Sequence, residues 1–341
     1  MIENIEKPLD DIEEERIHAR GNNVVLLGTL RSNPELFYSN DDEILSCVKF
    51  YLCTIRGTRD VSRGNSKEAR KAEKHDSPMI IIEEPELMQK AKNWRVNDIV
   101  QVSGAFTTRK TIKIAWCKEC GTKYEKKNAV LAYVYITDGF KVKSFGGDEP
   151  SDEPLEYLRE HREVSNRFWG FGTVVNNPKM RKLASGFNVL DVPMGINRKL
   201  YVKTDDPNNA ADYPHLKCYG SMVDNNVYKL KKDSLIYVEG FIQVRVAANN
   251  KGSYKCKKCG KSVDFRDLVT EIVPYKNGIE YIANFRTDKE VKELQKEKDD
   301  ELLRKAGLGK WVGVSAGQKS ELVEEEIEDE NEKWKMDETF E

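Results

Sequence analysis

The chain states one pattern twice, and that repetition constrains its fold more than any other feature. Asn23-Val-Val-Leu-Leu-Gly28-Thr-Leu-Arg-Ser-Asn-Pro34-Glu returns 144 residues later as Arg167-Phe-Trp-Gly-Phe-Gly172-Thr-Val-Val-Asn-Asn-Pro178-Lys. Asp98-Ile-Val-Gln-Val-Ser-Gly104-Ala-Phe-Thr-Thr-Arg109 returns 136 later as Ser234-Leu-Ile-Tyr-Val-Glu-Gly240-Phe-Ile-Gln-Val-Arg245. Cys117-Lys-Glu-Cys120-Gly returns 139 later as Cys256-Lys-Lys-Cys259-Gly. Similar offsets in the same order mean two copies of one domain with small loop differences. A chain of 341 residues has room for two such domains and tails.

Each copy is a series of short apolar runs with period-two alternation, bounded by Gly, Asn and Pro. The runs are 24–30, 44–55, 80–83, 99–107 and 129–136, then 168–175, 189–197, 216–219, 235–246 and 268–273. One helical stretch falls between the third and fourth strands of each copy, at 85–94 and 222–230. Five strands with a helix in that place predict an all-β chain of two tandem OB-fold barrels. The expected organisation is an acidic segment at 1–20, a first barrel at 21–140 and an acidic Pro/Gly linker at 141–164. A second barrel at 165–283 follows, then a charged helix at 284–306, and a Gly-rich hinge with a disordered acidic tail at 307–341. Each barrel carries a CxxC hairpin.

The net charge of −2 hides a segregation. Residues 1–20 hold seven acids against three bases, and residues 321–341 hold eleven against two, which leaves the body near +11. A basic body with acidic ends suggests a polyanion-binding surface and a tail that competes for it; the plainer alternative is solvated charge that maintains solubility. No apolar run reaches 18 residues, so no membrane partner is expected. The acidic Met1 to Arg20 stretch argues against a secretory signal. A cytoplasmic, reducing setting follows as an expectation, in which CxxC pairs favour metal or redox roles over disulfides.

His215-Leu-Lys-Cys-Tyr-Gly220 and Leu230-Lys-Lys-Asp-Ser-Leu-Ile-Tyr-Val-Glu-Gly-Phe-Ile-Gln-Val-Arg245 resemble the third and fourth strands of the bacterial single-stranded DNA-binding protein family. Gly28-x-Leu-x-x-x-Pro-Glu35, Lys49-Phe-Tyr-Leu-Cys53 and Gly195-Ile-Asn-Arg198 resemble its first two strands. The resemblance implies sequence-nonspecific single-stranded DNA binding in replication, recombination or repair, with RNA binding as a variant. It implies stacking aromatics at Tyr213, Tyr219 and Tyr201, with Tyr38 as the candidate in the first copy, and basic contacts from Arg198 and Arg245; Arg109 matches Arg245 in the repeat, and Lys110, in the Lys-rich hairpin, could also touch nucleic acid. Such a binder needs aromatic faces for bases and a cationic track for phosphates. In the first copy Ser77 and Glu83 stand where the second has Tyr213 and Tyr219. There the loop between strands two and three is long and basic, with Arg56, Arg59, Arg63, Lys67, Arg70, Lys71 and Lys74. It could clamp phosphates, or be a solvated loop.

Cys-x-x-Cys-Gly is half of a zinc ribbon, since two intervening residues let both thiolates face one ion and Gly permits the turn behind them. Cys117, Cys120, Cys256 and Cys259 together would complete a structural four-thiolate zinc site, within one chain or across a homodimer. A redox pair is the alternative. Trp116 and Tyr254 beside the pairs could stack a base or cover the metal knuckle. Cys53 reads as core packing. The tail ending Thr-Phe340-Glu341 resembles the family's partner-docking tip for replication or recombination proteins, but lacks its proline and its terminal aromatic. Four scattered histidines, with no phosphate loop, HExxH or nucleophile elbow, give catalysis nothing to use. The remaining alternative is an adaptor whose first barrel has lost its nucleic-acid contacts and which recruits partners through barrel, zinc hairpin or tail.

Overall fold

The computed structural model describes residues 21–39, 44–56, 74–182, 188–203, 210–246, 254–263 and 268–306. The chain is mostly β. Its first copy contains β1 (Asn23–Leu30), β2 (Glu35–Tyr38), β3 (Leu45–Ile55), β4 (His75–Asp76), β5 (Met79–Ile82), β6 (Asp98–Trp116) and β7 (Lys123–Ser144), with α1 (Pro85–Ala91) between β5 and β6. β1 pairs with β3, β3 with β5, β5 with β7 in parallel, β7 with β6, and β6 again with β1. The five strands therefore close on themselves, which removes exposed edges from the barrel wall. On β3 the alternation is plain: Val48, Phe50 and Leu52 face inward and are buried, while Cys47, Lys49 and Tyr51 face outward and are half-buried.

Between the copies run α2 (Glu153–Glu160) and α3 (Arg162–Ser165). Leu155 and Leu158 of α2 pack against Leu27, Cys53, Ile55 and Ile99 of the first barrel, so this stretch of the expected linker is docked. The second copy contains β8 (Asn166–Val174), β9 (Lys179–Lys182), β10 (Asn188–Asn197), β11 (Ala211–Asp212), β12 (His215–Tyr219), α4 (Ser221–Asn226), β13 (Leu235–Val246), β14 (Tyr254–Lys255), β15 (Ser262–Val263) and β16 (Leu268–Ala283). Its closure repeats the first: β8 with β10, β10 with β12, β12 with β16 in parallel, β16 with β13, β13 with β8. A charged helix, α5 (Asp288–Lys305), follows, started by a Thr287–Glu290 capping box. Among the described residues no helix is long and apolar enough to cross a membrane.

The repeated glycines have a steric reason. Gly104 and Gly240 lie at register shifts in β6 and β13. A Cβ there would stand 1.9 Å from the Tyr135 carbonyl oxygen and 2.2 Å from that of Val273. Only glycine lets the strands approach this closely at the bulge.

The two barrels share a seam. Asn23 to Leu26 of β1 pair antiparallel with Trp169 to Asn166 of β8. Two buried aspartates, 136 positions apart, then cross over. An Asp76 carboxylate oxygen accepts the Val244 amide of the second barrel at 2.8 Å, and an Asp212 oxygen accepts the Thr108 amide of the first at 2.6 Å. The two acceptors and the two amides are each related by the repeat offset, so the copies sit about a pseudo-twofold axis. Arg56 holds Asp76 through two hydrogen bonds, and Arg198 holds Asp212 and also donates to the Thr108 carbonyl at 2.6 Å. Ser165 and Asn166 add further cross-links, to Leu27 and Thr54.

Several elements run longer than their sequence pattern predicts. β6 continues from the barrel to Trp116, and β7 begins at Lys123, so the first CxxC lies at the tip of a long two-stranded arm. The Lys-rich stretch between the apolar runs masked this continuation, since its outward faces are solvated on both sides.

Replacing Arg198 by Ala would leave the Asp212 carboxylate buried without its cation. Breaking one side of a buried pair costs about 3–5 kcal/mol. Urea denaturation of Arg198→Ala is expected to show a loss of that size, with the midpoint moving and the transition slope preserved.

Candidate nucleic-acid interface and metal centre

On one side of the seam a groove of about 1280 Å³ opens between the barrels. The first barrel contributes Arg109, Lys110 and Lys113 from β6 and Lys126 from β7; the second contributes Arg198, Lys203, Tyr213 and His215. Among the described residues, Glu83 is the one acidic residue on its lining. A cleft lined by one sign of charge concentrates an anionic ligand by focusing the field. Of the residues singled out from the sequence, Arg109, Lys110, Arg198 and Tyr213 therefore meet in one place. Arg198 meets it while its guanidinium is engaged with Asp212, and its side chain is 7% exposed. Arg56 is likewise held on buried Asp76 and stacks over Phe241. Both belong first to the seam. Arg59 and Arg63 lie outside the described residues.

Tyr213 precedes β12 beside Pro214, and its backbone amide donates to the Thr108 hydroxyl at 3.1 Å, so the seam positions it. Its side chain is 56% exposed. Tyr219 is placed differently. Its hydroxyl bonds Glu271 at 3.3 Å and receives the Gln243 amide at 3.1 Å. Burial, reinforced by the Glu271 charge, pushes its ionisation up to about 12. Arg245 completes this group with an ion pair to Glu271 at 2.9 Å.

The first barrel holds the same three residue types with two exchanged. Pairing registers align Ile80, Val134 and Phe106 with Leu216, Ile272 and Ile242. Glu83 then stands at the Tyr219 position, Tyr133 at the Glu271 position and Arg109 at the Arg245 position. Burial, then Glu83, pushes Tyr133 up to about 12, as Glu271 does for Tyr219. Glu83 reads in the linear sequence as a lost aromatic; its compensating tyrosine lies one strand away. Comparing the two copies position by position on the fifth strand would have found it.

Tyr201 also falls elsewhere than expected. The segment 199–203 of the second barrel lies on the outer face of the first. Val202 is buried with Ala105, Tyr133 and Tyr135, the Tyr201 ring stands 6.3 Å from that of Tyr135, and the Lys203 ammonium donates to the Glu83 carbonyl at 3.0 Å. Part of the first barrel's outer face is thus covered by its neighbour. Tyr38, on β2, is 53% exposed and is not part of the groove lining.

The four repeat cysteines converge. Their sulfurs all lie within 4.8 Å of one another, with Cys117 to Cys259 at 3.5 Å and Cys120 to Cys256 at 3.4 Å. Each knuckle is built alike: the Gly121 amide donates to the Cys117 carbonyl and Gly260 to Cys256, with φ of +68° and +72° at the two glycines. The Lys257 amide donates to the Tyr124 hydroxyl at 2.7 Å. A Tyr124 hydrogen bond, despite opposing desolvation, holds the Cys256 thiol down to about 5. This all-sulfur set within one chain is suited to a soft or borderline metal ion. Among the other cysteines, Cys53 and Cys218 are buried in the barrels and Cys47 is half-buried.

The profile of the single-strand binding protein family matches residues 165–265, which lie in the second barrel and its CxxC hairpin. Solved structures similar to this chain include the wild-type single-stranded DNA-binding protein from Thermus aquaticus, at 13% identity and a TM-score of 0.49, covering 79% of this chain and 97% of that one. A deletion mutant of that protein gives 13% identity and the same TM-score, with coverage of 80% and 99%. No curated protein matches. The family match falls on the second copy.

If Tyr219 is a pinned member of the Tyr–Glu–Arg group, Tyr219→Phe removes two hydrogen bonds and keeps the ring. Stability should fall by about 1 kcal/mol, read as a shifted denaturation midpoint.

Proposed function

We propose that the protein binds single-stranded DNA without sequence preference, in replication, recombination or repair, and that the groove between its barrels is the main phosphate track. The observation that carries this reading is the concentration of cations from both barrels around the exposed ring of Tyr213. Lys110, Lys113 and Lys126 line the first barrel's side, and Tyr213 offers a base-stacking surface on the second. Arg109 and Arg245 contribute positive charge beside the two Tyr–Glu groups, while Arg56 and Arg198 act through the seam that shapes the groove. Tyr201, Tyr219 and Tyr38 are secondary contacts along the path of the strand. The basic loop with Arg59 and Arg63 supplies further phosphate contacts.

The four cysteines hold zinc as a structural ion. For zinc–sulfur bonds of about 2.3 Å a tetrahedron has edges of about 3.8 Å, and the observed sulfur separations support that size. The acidic tail competes with DNA for the basic surface and offers a docking segment to replication or recombination proteins. The setting is cytoplasmic, and a homodimer would bring four barrels together. A second reading, an adaptor that recruits partners, is favoured by the cover that residues 199–203 place over the first barrel's face. The two readings differ in whether strand affinity resides in the groove.

Fluorescence anisotropy with labelled oligo-dT and with duplex DNA tests this. Oligo-dT should bind far more tightly, with affinity falling steeply as salt rises. Tyr213→Ala should cost about 1–3 kcal/mol of binding, and Lys110→Gln should flatten the salt dependence. Equal affinity for duplex and single strand would sink the proposal.

A further inference from the structure

Among the described residues, the arm made by β6 and β7 beyond the barrel is a two-stranded ribbon. It leaves the wall near the Thr107–Tyr133 pair and runs to Trp116–Lys123. A ribbon with no third strand is marginally stable by itself. Ile112, Ile114 and Trp116 along it are 54%, 51% and 60% exposed, so little apolar burial holds it in place. Its ladder is also interrupted between Thr111 and Lys113, where a bulge permits bending.

What fixes the tip is the other copy's knuckle. Cys117 and Cys120 meet Cys256 and Cys259, the Lys257 amide reaches the Tyr124 hydroxyl, and Ala115 packs with Val263. Lys110 on the barrel side of the bulge, and Lys113 and Lys126 just beyond it, form one wall of the groove. The outer part of the wall and the clasp are therefore on one lever, which starts at the bulge between Lys110 and the Lys113–Lys126 pair.

We propose that a metal ion held by Cys117, Cys120, Cys256 and Cys259 fixes this arm as a wall of the groove, so that single-strand binding there depends on metal occupancy. The inference rests on the groove being the strand-binding site. With the ion bound, the thiolates of both copies share one centre, and metal binding contributes free energy to closing the tip. Without it, the described residues leave the tip one cross-copy hydrogen bond and a small apolar contact. The arm then swings at its bulge and carries Lys113 and Lys126 out of register with the second barrel.

The test uses the full-length protein, purified with its metal under reductant and assayed with labelled oligo-dT across about 50 to 200 mM salt. Metal content is read by atomic emission, before and after stripping with an organomercurial and chelator, and again after zinc is restored. Stripping should lower affinity about tenfold or more. Loss of two phosphate contacts should make the salt slope shallower by about 1.4, at ~0.7 per contact for single strands. Zinc should restore both. Cys259→Ser, which removes the exposed ligand, should reproduce the loss without reagents.

Metal-free protein that unfolds cooperatively and binds with unchanged affinity and slope overturns the proposal. So does simultaneous loss of binding and of cooperative unfolding, because the ion would then support the whole fold. Protein isolated without metal, with all four thiols freely titratable, overturns it at its base. The loaded Lys113→Gln/Lys126→Gln variant separates the two ideas. If it loses affinity while metal removal is silent, the coupling fails and the groove stands; if it binds as wild type, the groove reading itself fails.

Discussion

Everything distinctive about this molecule depends on the seam where β1 pairs with β8. Four backbone pairs alone would leave two barrels free to twist against each other. The crossed aspartates prevent that. Asp76 and Asp212 are each about fully buried, each captures a backbone amide of the opposite barrel, and each is neutralised by an arginine of its own copy. A carboxylate removed from water needs such a partner set, because an unpaired buried charge costs several kcal/mol. The arrangement tolerates little displacement, since a shift that frees an amide also strands a charge.

The groove follows from this geometry. Once the barrels are fixed about the pseudo-twofold axis, the root of the first barrel's arm faces the Tyr213 and His215 region of the second. The same axis places segment 199–203 over the first barrel's outer face, where Val202 buries itself among tyrosines. It also brings the two CxxC knuckles, each at the end of its own hairpin, to one point. Seam, cover and clasp are three consequences of joining two unequal copies.

Much of this was legible in the sequence, and the divisions are instructive. The repeat offsets and period-two runs carried the strands, the helix after the third strand and the knuckle spacing, because each is a local property. The convergence of the four cysteines was legible because half-sites with identical spacing suit a common ion. The seam was not. Asp76 and Asp212 are single acids in short strands, and nothing local marks them as buried. Arg56 and Arg198 read as cations available to phosphate because their aspartate partners lie 20 and 14 residues away. Tyr201 read as part of its own barrel, although its loop rests on the other one. The exchange of Glu83 and Tyr133 for Tyr219 and Glu271 was readable in principle. The exchanged residues lie on two different strands, so the pattern of either strand alone does not show it.

The central claim is that the crossed aspartates lock the barrels into one body. Native-state hydrogen exchange at the Thr108 and Val244 amides tests it most directly, because these two protons are donated across the seam. Exchange of both only through global unfolding, at the free energy of the slowest barrel amides, is the predicted result. Exchange through low-energy local opening, while the barrel amides stay protected, would contradict the account.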